Sequence, residues 1–234
     1  MKNSEKRYVP SYEGTLRSHM ISVPAVIADC SGIRIFGRRI KSIVFSTDAA
    51  IIKNINADAV IAVYPFTPQP AITRAVITAA DMPVFAGIGG GTTSGARVIR
   101  LGCDAEDQGA YGVVVNAPIS NDVICGLKEN LEIPIIVTVV SQQTDITARI
   151  NAGASILNIS AGAETAALTA KIRKDFPELP IIATGGPTEE SILATIAAGA
   201  NAITYTPPTT GTLFGDMMRR YREAETLEGK GGTQ

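Results

Sequence analysis

The feature that most constrains this chain is a rhythm. Eight short runs rich in Val, Ile and Ala recur at nearly even spacing: 41–47 (KSIVFST), 59–64 (AVIAVY), 83–88 (PVFAGI), 111–117 (YGVVVNA), 134–140 (PIIVTVV), 155–161 (SILNISA), 180–186 (PIIATGG) and 201–207 (NAITYTP). Each is followed by a segment of helical period, the pattern of parallel strands joined by crossover helices. The starts advance from 41 to 201 in seven steps of about 23 residues, enough for one strand, one helix and two short loops. Turns into the runs alternate too. Pro83, Pro134 and Pro180 open the third, fifth and seventh, whereas the second, fourth, sixth and eighth follow small-residue turns at 56–58, 108–110, 151–154 and 198–200. Proline as a strand's first residue forfeits no ladder bond. A two-unit period suits a closed barrel filled in layers by alternate strands. The reading is therefore α/β, a single (β/α)8 TIM barrel over 40–225. Residues 1–39 form an extension expected to cover the bottom of the barrel, and 226–234 a frayed tail without apolar period.

Charge narrows the partners. Twenty-one basic residues against 22 acidic leave a net charge of -1, without the electrostatic footprint that a nucleic acid or an anionic membrane requires. The N-terminal stretch is polar, and no run reaches the roughly 18 apolar residues of a membrane span, so a cytoplasmic protein is expected. Only 18% of residues are charged against 45% hydrophobic, so much surface is buried inside the fold or between subunits, and a homo-oligomer is expected. Cys30, Cys103 and Cys125 are odd in number and widely spaced, unlike a disulfide framework or zinc site.

In such a barrel the site is built from the loops that follow the strands, and here those loops are almost entirely neutral. The glycine run Gly89-Gly90-Gly91-Thr92-Thr93-Ser94-Gly95 is the most informative: successive glycines turn backbone N–H groups into an anion nest, and the helix behind adds a positive dipole end. The alternative is a loop that needs glycine for sterics alone. Thr184-Gly185-Gly186, with Pro187-Thr188-Glu189-Glu190 behind it, stands where many barrels bind phosphate. The loop after the eighth run brings Thr206 but also Pro207 and Pro208, which have no N–H to give. Asp48 is the carboxylate at a strand end, either a general base or cation ligand, or else a helix N-cap. Asn116, Asn158 and Gln142 either orient a polar substrate or satisfy loop backbone, and Tyr64 heads the stiff stretch 65–70. Asp48, Asn116 and Asn158 are thus the catalytic candidates. Tyr64, Gly89, Gly90, Gly91, Thr92, Gln142, Thr184, Gly185, Gly186 and Thr206 are the binding ones. The sole histidine, His19, precedes the barrel and is expected at the opposite mouth, which leaves Ser or Cys nucleophiles without a base and zinc without a triad. No cofactor is required by these residues; a divalent cation on Asp48 stays open.

At PIIATGGPTEESILATIAAGANAITYTP the chain resembles the last quarter of the phosphate-binding barrels, including keto-deoxy-phosphogluconate aldolases of the Entner-Doudoroff type and thiamine-phosphate synthases. The resemblance implies that Gly185 and Gly186 hold a phosphate. The aldolases' Schiff-base lysine has no counterpart in 155–160. Through VIAVYPFTPQPAI, GVVVNAP and ANAITYTPPT the whole chain is similar to bacterial barrel proteins that carry the bare label hydrolase. The same C-terminal quarter resembles glycerol-phosphate-responsive antiterminators, which sense ligands. The resulting expectation is a small-molecule enzyme that binds a polar, anionic metabolite at the C-terminal mouth, of lyase or isomerase type. Metal-assisted hydrolysis and non-catalytic sensing are the alternatives.

Overall fold

The eight runs become eight parallel strands that close on themselves. The computed structural model describes residues 20–230 together with 8, 10–12, 14 and 15, with side chains as far as 225. A 3-10 turn (Ala25–Asp29) leads into an antiparallel hairpin of β1 (Ile33–Ile35) and β2 (Arg38–Ile40). The barrel strands are β3 (Ser42–Phe45), β4 (Ala59–Ala62), β5 (Val84–Gly89), β6 (Gly112–Val115), β7 (Ile135–Val139), β8 (Ile156–Ile159), β9 (Ile181–Thr184) and β10 (Ala202–Tyr205), and β10 pairs with both β9 and β3. Between and after them lie α1 (Ala49–Lys53), α2 (Pro70–Ala79), α3 (Ala96–Asp107), α4 (Asn121–Asn130), α5 (Ile146–Ala152), α6 (Thr165–Asp175), α7 (Glu189–Ala197) and α8 (Thr210–Lys230). The backbone of 226–230 thus continues α8, where the sequence suggests a frayed tail.

Strand alternation and the stagger of an eight-stranded barrel sort the inward side chains into levels of four. Ile43, Phe85, Ile136 and Ile182 of alternate strands form the central level, all at 0% exposure. Below it lie Ala59, Gly112, Ile156 and Ala202; Gly112 is small because an added Cβ would stand 3.1 Å from the Phe85 ring. Pro83, Pro134 and Pro180 fall together one level lower, which is the physical origin of the alternating turns. Their carbonyls still accept ladder bonds, from Val60, Val113 and Leu157, so the missing N–H groups cost the sheet nothing. The small lower level leaves space that Ile33, Ile35 and Ile40 of the hairpin fill, in one apolar cluster with the barrel interior. The hairpin turn itself puts Phe36 edge-on against Tyr111, with ring centroids 5.5 Å apart.

The segment before the hairpin runs along the outside of the barrel. Asn54 and Asn56, just past α1, exchange backbone bonds with Ile21, and the Asn56 side chain accepts from the Val23 N–H at 2.8 Å. The 3-10 turn packs on α7, with Ile27 and Cys30 buried. Residues 20–30 therefore occupy the flank between α7 and α1.

Candidate functional site

Two cavities open at the C-terminal ends of the strands and meet. The first, about 620 Å3, lies between the loop 64–69 after β4 and the glycine loop after β5. The second, about 550 Å3, lies between 46–48 after β3 and 206–209 after β10. Val63, Tyr64, Pro65 and Asn116 line both. Of the residues expected from sequence, Tyr64, Gly89, Gly91, Thr92 and Asn116 line the first, and Asp48 and Thr206 the second. Tyr64 has a bracing role as well: its hydroxyl accepts from the Gln69 N–H at 2.8 Å, pinning a loop already stiffened by Pro65 and Pro68.

The glycine loop is shaped by its neighbour Asn116. Gly89 and Gly90 have φ of 127° and 105°, the left-handed region where a side chain is strained. A Cβ at Gly90 would stand 2.6 Å from the Asn116 nitrogen and 2.8 Å from its carbonyl oxygen. The Asn116 N–H donates to the Gly89 carbonyl at 2.8 Å, and the Gly90 N–H to that of Thr93 at 2.9 Å. Sterics thus explain glycine at 89 and 90, and the Gly90 N–H is committed to the loop. At Gly91 nothing lies within 4 Å of where a Cβ would be. The loop ends at the first turn of α3, where Arg97 and Arg100 stand beside Thr67 and Pro68, residues that also wall the first cavity. The two arginines are the functional candidates that sequence reasoning missed; their signal was their place in the first two turns of the helix that follows the glycine run.

Asp48 is the N-cap of α1. Its Oδ1 accepts from the Ala50 N–H at 2.8 Å and the Ile51 N–H at 3.3 Å, and its Oδ2 accepts from the Thr210 hydroxyl at the start of α8. The Thr210 hydroxyl above all holds the carboxyl below its ordinary range; burial opposes it in part, and the Ile51 and Ala50 N–H groups add smaller lowering effects. Asp48 thus caps α1 and ties it to the root of α8.

Beneath the cavities the barrel interior is divided. In the level that contains Ile61 and Val114, alternation places Asn158 on β8 and Thr204 on β10, and above them Thr138 and Thr184 share a level with Phe45 and Gly87. One half of the interior at these levels is therefore hydroxyl and amide, the other apolar. The Asn158 Nδ2 donates weakly to the Thr138 hydroxyl at 3.4 Å, while the Asn158 Oδ1 and the Thr204 Oγ1 are buried without a partner. Buried polar atoms of this kind ordinarily find a partner; Asn158, Thr204, Thr138 and Thr184 line neither of the joined cavities.

Two expected elements stand apart. Gln142 lines cavities beside α5 and α6, not the joined pair. Gly185 and Gly186 line neither of the joined cavities. At Gly185 a Cβ would meet Ile203 and Ile192 at 2.7 and 2.8 Å, so close packing alone requires glycine. The N-terminus of α7 behind them is closed by a Thr188–Ser191 capping box, and Glu189 and Glu190 already place acidic charge in its first turn. Cys30 is buried, and burial pushes its thiol up to about 11, which leaves no thiolate to react at neutral pH. Cys103 and Cys125 lie in α3 and α4. His19 lies outside the described residues.

Among the described residues no three His, Cys, Asp or Glu side chains come together to hold a metal ion. Magnesium takes oxygen donors in a near-octahedral set. This mouth offers one carboxylate with both oxygens engaged, which does not fit a resident divalent cation. Among the described residues no helix is long and apolar enough to cross a membrane.

No protein-family profile matches the chain, and no curated protein matches it in sequence. Solved structures do match in fold. A phosphonopyruvate hydrolase in complex with oxalate and Mg++ aligns over 82% of this chain and 83% of its own, at 14% identity and a TM-score of 0.58. A 2,3-dimethylmalate lyase, described as a member of the PEP mutase/isocitrate lyase superfamily, aligns over 89% and 88%, at 14% identity and a TM-score of 0.59. The 4-hydroxy-tetrahydrodipicolinate synthase of Methylacidiphilum fumariolicum SolV aligns over 70% and 67%, at 14% identity and a TM-score of 0.55. At such identities the likeness establishes the barrel alone.

Proposed function

We propose that this barrel is an enzyme that binds a small anionic metabolite in the joined cavities at its C-terminal mouth, of lyase or isomerase type and without a resident metal. The observation that carries the reading is the meeting of the two cavities at Asn116 and Tyr64, with chemically different ends. The phosphate or carboxylate end lies in the first cavity, against Gly91, Thr92 and the start of α3, with Arg97 and Arg100 at its edge to supply positive charge. The ionised Asp48 repels that end from the second cavity, so a hydroxyl- or carbonyl-bearing end points there. Asn116, at the join, orients the molecule between the two. Lyases and a hydrolase share the fold, and the first class is favoured over metal-assisted hydrolysis because, among the described residues, no cluster of carboxylate, His or Cys side chains gathers to hold the cation that would activate water.

A sensing role is the second reading, favoured by the scarcity of ionisable side chains among the residues that line the cavities. Turnover separates the two, since a sensor binds without converting its ligand.

Inorganic phosphate is the simplest probe. Its affinity for the Arg97→Ala/Arg100→Ala variant, measured by calorimetry, is expected to fall at least 10-fold, about 1.4 kcal/mol, with a weaker dependence on salt. An unchanged affinity would remove the arginines from the site, and absence of phosphate binding by the wild type would remove the anion reading.

A further inference from the structure

The second of the joined cavities is walled largely by hydrocarbon. Phe45, Ile51, Val63, Pro65, Pro207 and Pro208 line it together with the Tyr64 ring. Strand alternation turns Phe45, the last residue of β3, into the bore of the barrel, yet 40% of it is exposed. Val63, two residues past Phe45's ladder partner Ile61, packs against the interior cluster. Open apolar surface gathered in a concave site favours an apolar occupant, because filling it releases water from both partners.

The polar groups of this cavity are mostly engaged with one another. Both Asp48 oxygens accept bonds from the chain, the Ser46 hydroxyl accepts from the Asp48 N–H at 3.1 Å, and the Thr209 hydroxyl is bonded to that of Thr212 at 2.8 Å. Pro65, Pro207 and Pro208 have no N–H to donate. These walls thus offer an anion few donors and present a hydrocarbon group with apolar surface. The Pro207-Pro208 pair, which no phosphate site would use, has a purpose here. At about 550 Å3 the cavity has the size of a small-molecule site, where apolar walls give affinity and a few polar groups fix orientation.

We propose that the ligand's end in the second cavity is a hydrocarbon group, a branched aliphatic chain or a phenyl ring, carried on the carbon whose hydroxyl or carbonyl oxygen meets Asn116. The inference rests on the reading of the mouth as the site of a small anionic metabolite, and it names the class: an acid with its anion in the first cavity, an oxygen function at the join and an apolar side chain between Phe45, Val63 and Pro208. Affinity then comes from two separable sources. Arg97 and Arg100 act on the anion, whichever side chain follows. Phe45 and Val63 act on the side chain, whichever anion precedes, and each methylene they take from water is expected to tighten binding about 4-fold.

The test is calorimetry of the full chain with pyruvate, 2-oxobutanoate, 4-methyl-2-oxopentanoate and phenylpyruvate, which share an anion and a carbonyl and differ in the apolar group. Methylphosphonate and phenylphosphonate make the same comparison on a phosphate-like anion. Affinity is expected to rise at least 10-fold from pyruvate to 4-methyl-2-oxopentanoate, with a heat-capacity change that grows more negative along the series, the mark of apolar burial. Phe45→Gln is expected to remove most of that gain. Val63→Thr, which keeps the shape and adds a hydroxyl, is expected to cut it several-fold while pyruvate binds as before. Arg97→Ala/Arg100→Ala is expected to weaken every member by a similar factor and leave their ratios unaltered. Equal affinities along both series, beside measurable binding of pyruvate or inorganic phosphate, would overturn the apolar subsite and leave the anion site standing. A gain that Phe45→Gln and Val63→Thr both leave intact would place the side chain elsewhere and overturn it too. No binding of any of these anions would remove the anion site and this inference with it.

Discussion

Replacing Gly90 with alanine is expected to destabilise the protein by about 3 kcal/mol or more and to abolish ligand binding at the mouth. Two effects add. A residue forced to φ near 105° stores on the order of 1–3 kcal/mol of strain. The new methyl would also stand 2.6 Å from the Asn116 nitrogen, backbone that cannot swing aside as a long side chain can. Relief requires the Asn116 backbone to move, which breaks its 2.8 Å bond to Gly89 and disturbs the join of the two cavities. Denaturant unfolding checks the size of the loss. Gly91→Ala is the control: nothing lies within 4 Å of its Cβ position and its φ is not positive, so less than about 1 kcal/mol should be lost. Equal effects at the two positions would mean that the loop is merely flexible.

Removal of the Asp48 side chain is the second large effect expected. Asp48→Ala loses an N-cap, about 1 kcal/mol, and the bond from the Thr210 hydroxyl, about another 1 kcal/mol. It should also loosen the wall formed by 206–209. Asp48→Asn, which still caps, should recover most of the stability. The pH dependence has a definite sign. A carboxyl whose folded value lies below its unfolded one binds fewer protons when folded, so its stabilisation is full above the unfolded value, near 4, and is lost as pH falls below that through the lowered folded value. The difference in stability between wild type and Asp48→Ala should accordingly shrink on acidification below about pH 4. A difference that grows there would show that the Thr210 contact is absent.

The fold was largely legible because it rests on backbone economy that leaves marks in sequence. Pro83, Pro134 and Pro180 recur on alternate strands because one interior level needs no N–H there. Gly153 and Gly199, with φ of 118° and 103°, stand where α5 and α7 end. The site was legible only in part. The mouth contributes neutral side chains, and neutral residues carry no signature of which way they point. Thr138 and Thr204 could be sorted from their outward neighbours only once Ile136 and Ala202 had been placed in the interior cluster. Gly185 and Gly186 look like a phosphate loop in sequence, and the contacts of Gly185 with Ile192 and Ile203 give that glycine a packing role that sequence does not display. Asp48 carries the same Thr-Asp signature as any helix cap, and it does cap α1. The flank taken by residues 20–30 left no trace in sequence either, because hydrophobic residues before a barrel do not declare which face they cover.

The most direct test of the account is thermal unfolding of wild type and Asn116→Leu across a titration of inorganic phosphate and of oxalate. Leucine keeps the size of the side chain and the backbone bond to Gly89 while removing the amide at the join. The account predicts a midpoint that climbs by several degrees in the wild type, as about 2.7 kcal/mol at 100-fold excess over the dissociation constant would give, and a climb lost or displaced at least 10-fold in concentration in Asn116→Leu. Identical titrations for the two proteins, or no response of the wild type to either anion, would contradict it.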